Sequence, residues 1–110
     1  MYIIDEKIEN NSQVFVFYGE IDSSNSLSYK EQIYTKILNK RYSLIIFDFS
    51  NTSFIDSAGI GLILGRYNEI KMMGKNLRIR GINLQIDKIF KISGLYQILN
   101  IECLESKVNI

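Results

Sequence analysis

The chain has 110 residues, 13 Lys and Arg against 12 Asp and Glu, 46% hydrophobic residues and a mean hydropathy of +0.01. That length suits one domain with one core, and the near balance of charge speaks against a nucleic-acid surface, which needs a basic excess. Histidine is absent and Cys103 is the sole cysteine, which removes Ser-His-Asp and Cys-His catalysis, a histidine phosphorelay, a histidine metal site and an internal disulfide.

The first ten residues, MYIIDEKIEN, lack the basic start and apolar core of a signal peptide, and no apolar run reaches the ~18 residues of a spanning helix. A cytoplasmic protein with no membrane partner is expected. Residues 2–7 read as a first strand, followed by the polar turn NNSQ. The run VFVFYGEID, residues 14–22, is aromatic and β-branched, a strand ending near Gly19. A helix follows in SSNSLSYKEQIYTKILNK, with Leu27, Ile33, Tyr34, Ile37 and Leu38 at helical spacing and Lys36, Lys40 and Arg41 suiting its negative end. LIIFDF, residues 44–49, is nearly continuous in apolar residues, as in a strand covered on both faces. A second helix spans about 57–73 and stops at Gly74. NLRIRGI, residues 76–82, alternates as a strand with one polar face. LQIDKIFKIS is a short helix closed by Gly94, and ILNIECL is expected as a last strand with Cys103 a small buried thiol.

Strands alternating with helices predict a single α/β domain over residues 1–110, with a mixed sheet of four or five strands and helices packed mainly on one face. The second helix raises a question, because FIDSAGIGLILGRY places Gly59, Gly61 and Gly65 inside its periodicity, each costing roughly 1 kcal/mol against alanine. At about 100° per residue, Ile60, Ile63, Leu64, Tyr67 and Ile70 share the sheet-facing side. Ser57, Gly61, Gly65, Asn68 and Met72 form a stripe beside it. Glycines four apart make a notch, filled either by a neighbouring helix of the same domain or by a partner. Asp56 and Ser57 compete for the N-cap; if Asp56 caps, the Ser57 hydroxyl is left outward and unused. A phosphate-cradle reading of GIGLILG fails on two counts. The glycines lie within the helix, and neither an acid for a ribose nor a phosphate-binding lysine follows.

DSAGIGLILGRY after an apolar strand, GEID upstream and FKISGL downstream together resemble the anti-sigma factor antagonists, the small bacterial STAS domains, and their sporulation members in particular. The resemblance covers nearly the whole chain. It implies a non-catalytic regulator without cofactor or metal, which binds an anti-sigma factor that is also a serine kinase and displaces the sigma factor held there. That kinase would phosphorylate Ser57 and so end binding, and a metal-dependent serine phosphatase would restore the free form. Ala58 stands where the family often has a second serine, which singles out Ser57, and isoleucine replaces leucine in GEID. Partner contacts are expected from Glu20, Asp22, Asp56, Ser57, Ala58, Gly59, Gly61 and Gly65. Asp56 would cap the helix, the glycines would permit close approach, and Glu20 with Asp22 would form an acidic loop for basic groups on the kinase. A monomer is expected. A stress-response antagonist, or a STAS module of another signalling complex or of a transporter, is the alternative on the same fold.

Overall fold

A computed structural model describes residues 4–99; Cys103 and most of the expected last strand lie outside the described residues. In chain order the elements are β1 (Ile4–Glu9), β2 (Ser12–Ile21), α1 (Ser26–Ile37), β3 (Leu44–Ile55), α2 (Ser57–Met72), β4 (Asn76–Arg80), α3 (Leu84–Ser93) and α4 (Leu95–Ile98). The strands lie in the order β1-β2-β3-β4; β1 and β2 are antiparallel, whereas β2, β3 and β4 are parallel. A two-residue loop joins β1 to β2, since Glu9 pairs with Ser12. Both loop residues, Asn10 and Asn11, have positive φ (50° and 64°), which asparagine tolerates and which matches the twist of a tight hairpin.

The alternation in β2 explains why the central strand is covered on both sides. Phe15 and Phe17 point into the main core with Phe47, Phe49, Tyr29 of α1, Ile63 of α2 and Phe90 of α3, while Val14 and Val16 join Ile46 in a smaller cluster that contains no helical residue. Phe17 stacks on Phe49 at 5.1 Å and meets Tyr29 and Phe47 edge-on, so its ring is the centre of the helix-covered side. The helices therefore occupy one face, as the alternation of strand and helix predicts. On the opposite face the Arg80 guanidinium joins Asp48 at 3.0 Å and both oxygens of Glu9 at 2.8 and 3.0 Å, tying β4, β3 and β1 together.

Three expectations differ from the fold. The strand at LIIFDF runs on to Ile55 through the polar stretch SNTS, with a register shift against β2 between Asp48 and Asn51. Thr52 turns inward and donates its hydroxyl to the Phe17 carbonyl at 2.9 Å, while Ser50, Asn51 and Ser53 stay exposed. On α1 the buried residues are Tyr29, Ile33 and Ile37, leaving Leu27, Tyr34 and Leu38 exposed as a second stripe. The apolar spacing was compatible with both stripes, and packing on Phe17 selects the one with Tyr29. Finally, Leu95–Ile98 forms a helical turn where the strand ILNIECL was expected to begin.

Candidate functional site

The site grows from the ends of β2 and β3, where Ile21 pairs with Ile55. One hydrogen bond, from the Asp56 amide to the Ile21 carbonyl (3.2 Å), carries the pairing past the strands into the start of α2. The segments beginning at Asp22 and at Asp56 therefore leave the sheet side by side. Parallel strands of this kind gather their loops at the carboxyl ends, where open α/β sheets place ligands.

At the mouth of α2 the backbone resolves the competition for the cap. Asp56 is extended (φ −101°, ψ −170°), and its Oδ1 accepts the amides of Ala58 at 2.8 Å and Gly59 at 3.1 Å. The carboxylate thus satisfies two donors that every helix start leaves open, and its charge suits the positive end of the helix. Ser57 becomes the first helical residue. Its side chain is exposed, and among the described residues the hydroxyl has no partner.

The three glycines divide into two kinds. Gly61 and Gly65 face open space, since a Cβ on either would meet nothing within 4 Å, so no helix of the described domain fills the notch. Gly59 is buried, and a Cβ there would lie 2.5 Å from Ile55 Cγ2 and 2.8 Å from the Ile21 carbonyl oxygen. Gly59 does allow a close approach, but the approaching backbone is the domain's own β2. Its expected role in admitting a partner is corrected accordingly.

The loop from β2 to α1 is ordered by a residue that the sequence reading passed over. Asn25 is 8% exposed; its Oδ1 accepts the Asp22 amide at 3.0 Å and its Nδ2 donates to the Glu20 carbonyl at 2.7 Å. That side chain bridges both ends of the Glu20–Asp22 segment. The available signal was an asparagine just before a helix, and its position there suggested only a cap. Asp22 itself does not cap α1. Its Oδ1 accepts the backbone amide of Ser24 at 2.9 Å together with the Ser24 hydroxyl. The Ser24 hydroxyl, foremost, holds the Asp22 carboxyl below its ordinary value, so the group is anionic at neutral pH. The Glu20 side chain is exposed on the same loop.

The assembled surface therefore has an anionic loop at Glu20 and Asp22 beside a capped helix mouth with a free hydroxyl, and a glycine notch running along α2. Among the described residues no cluster of acids or cysteine could hold a metal, and no helix is long and apolar enough to cross a membrane. These features describe a small α/β domain with an exposed, unpartnered hydroxyl at the mouth of a helix. The chain belongs to the STAS domain family, whose model matches residues 2–107. It is 31% identical to the anti-sigma F factor antagonist of Paenibacillus polymyxa over 83 residues, 76% of this chain and 71% of that protein. To the anti-sigma-B factor antagonist of Listeria monocytogenes it is 27% identical, over 96% of this chain and 91% of the relative. Among solved structures, the anti-sigma factor antagonist SpoIIAA in its unphosphorylated form superposes with a TM-score of 0.71 at 27% identity, covering 86% of this chain and 82% of that one. The phosphorylated form of SpoIIAA, from Bacillus, superposes at 0.66 with the same identity, over 86% and 85% of the two chains.

Proposed function

We propose that this protein is an anti-sigma factor antagonist: unphosphorylated, it binds an anti-sigma factor that is also a serine kinase and so frees a sigma factor. Phosphorylation of Ser57 ends that binding, and a metal-dependent serine phosphatase reverses it. The protein acts in the cytoplasm and has no catalytic role of its own. The observation that carries the reading is the Asp56 cap, which leaves the Ser57 hydroxyl exposed and without a partner. The likeness to SpoIIAA, solved in both unphosphorylated and phosphorylated forms, supports it.

The switch follows from charge. A phosphate on Ser57 adds about −1.5 to −2 charge at neutral pH. The first-turn amides of Ala58 and Gly59, which would otherwise receive an anion, are already taken by Asp56. The added charge therefore lies outward, beside Asp56 and the Asp22 loop. An interface fitted to a neutral hydroxyl would have to desolvate it, and a loss of a few kcal/mol weakens binding by orders of magnitude. Within this reading Glu20 and Asp22 meet basic groups on the kinase. Ala58, Gly61 and Gly65 lie under the docked chain. Incubation with the kinase and ATP, followed by peptide mass spectrometry, tests the assignment of the acceptor.

A stress-response role is the second reading, favoured by the likeness to an anti-sigma-B factor antagonist over 96% of the chain. It leaves the mechanism unchanged and alters only which sigma factor is freed.

A further inference from the structure

Beside the Ser57 mouth, α1 and α2 enclose a groove of about 290 Å3 to which α1 contributes Ser26, Leu27 and Lys30, and α2 contributes Gly61, Leu62 and Arg66. Ala58, the residue after Ser57, also lines it, so the groove is continuous with the proposed docking surface. Its chemistry is uneven. Leu27 on the rim is 65% exposed, an unusual position for a leucine beside a hollow. Arg66 is only 5% exposed. Its Nε donates to Glu69 Oε1 at 2.6 Å, yet among the described residues Nη1 and Nη2 donate to nothing.

The two Nη groups of Arg66 are thus left to donate to an acceptor that enters the groove. Lys30 adds a second cation. It is exposed and has no ion-pair partner among the described residues, and no carboxylate lines the groove to neutralise it. Glu69, which holds the Nε of Arg66, does not itself line the groove.

We propose that this groove receives an acidic side chain of the anti-sigma factor, seated between Lys30 and Arg66 while an apolar neighbour in the same segment covers Leu27. This rests on the reading of the chain as an anti-sigma factor antagonist and names the chemistry of one contact. The open Cβ positions at Gly61 and Gly65 let the partner's backbone come close enough for a carboxylate to reach a nearly buried arginine. Arginine suits the role because its planar fork binds a carboxylate through two donors. The positive groove also complements the negative Asp22 loop, so the two patches together would set the orientation of the partner.

Calorimetric titration of the full chain with its purified anti-sigma factor, at low and high salt, tests the proposal. Lys30→Glu is a surface change and should keep the melting temperature while weakening binding at least about tenfold, most strongly at low salt. Arg66→Lys retains a cation but loses the fork, and should weaken binding by a smaller factor. Converting the partner's acids to lysine one at a time should identify a position that restores affinity for Lys30→Glu. Unchanged affinity for both variants, while Asp22→Asn still weakens binding, would overturn the groove proposal and leave the antagonist reading standing. Failure of the wild-type chain to bind any anti-sigma factor would instead overturn the antagonist reading, and this proposal with it. Sedimentation showing a dimer that Lys30→Glu dissolves would assign the groove to a second copy of the chain and contradict the proposal.

Discussion

A methyl group on Gly59 would lie 2.8 Å from the carbonyl oxygen of Ile21, whereas one on Gly61, half a turn further along the same helix, would touch nothing within 4 Å. The two glycines should therefore respond oppositely to alanine. Gly59→Ala forces the start of α2 away from β2 and should destabilise the domain by about 1–3 kcal/mol, more than the gain in helix propensity returns. Gly61→Ala should stabilise it by up to about 1 kcal/mol. Gly61→Val should leave the fold intact and weaken partner binding. Urea denaturation beside binding titrations reads both effects. A stability loss at Gly61 equal to that at Gly59 would mean that the notch is internal packing after all.

Asp22 is held by Ser24, and asparagine keeps the acceptor oxygen that the turn uses. Asp22→Asn should leave the melting temperature nearly unchanged. It should weaken binding to the kinase at least about tenfold and reduce its salt dependence, as expected for a charge facing a basic partner. Equal affinity at two salt concentrations would remove Asp22 from the interface.

Asn25 supplies a different test, because its role lies within the domain. Asn25→Ala leaves the Asp22 amide and the Glu20 carbonyl without their side-chain partner and should cost about 1–3 kcal/mol in a thermal or urea melt. Kinase affinity should fall as well, since the loop that presents Asp22 is no longer clipped. Asn25→Asp keeps the acceptor for the Asp22 amide but sets a carboxylate oxygen against the Glu20 carbonyl, and should cost at least as much as Asn25→Ala. A wild-type melt for Asn25→Ala would show that the bridge contributes nothing.

The helix-free face predicts the response to acid. The hydrogen bond from Arg80 is the foremost cause holding the Glu9 carboxyl below its ordinary 4.5. Burial works to raise Asp48, but hydrogen bonds from Ser50 and Arg80 outweigh it and keep that carboxyl below 3.8. Both groups take up protons more readily in the unfolded chain, so their contribution is complete above about pH 4.5 and is lost as pH falls through and below 3.8. Arg80→Met should flatten the melting temperature against pH in that window. An unchanged acid slope would show that the cluster does not couple to folding.

Much of the fold was legible because the signals were local and redundant. Gly74 and Gly94 lie at positive φ at the ends of α2 and α3, and the NN turn closes the hairpin, all readable from residue type. The limits appear where a choice depends on distant packing. The apolar residues of α1 fit two stripes, and only contact with Phe17 shows that Tyr29 faces inward while Leu27 and Tyr34 do not. The cap at Asp56 or Ser57 was equally open, being a matter of one ψ angle. In the candidate site, Ser57 and Asp22 were visible through motif and spacing. The split between Gly59 and Gly61 was not, because it depends on how closely β2 passes under the helix. The Arg66 and Lys30 groove was invisible for the same reason: its two cations come from separate helices.

The central claim is that a phosphate on Ser57, and there alone, turns binding off. The direct measurement is calorimetric titration of the anti-sigma factor with the same preparation before and after kinase treatment, with the phosphate placed by peptide mass spectrometry. The account predicts one phosphate at Ser57, none on Ser57→Ala, and at least about a hundredfold loss of affinity on phosphorylation, equivalent to roughly 2.7 kcal/mol. A phosphate found on Ser23, Ser24 or Ser53, or equal affinity for the two forms, would contradict it.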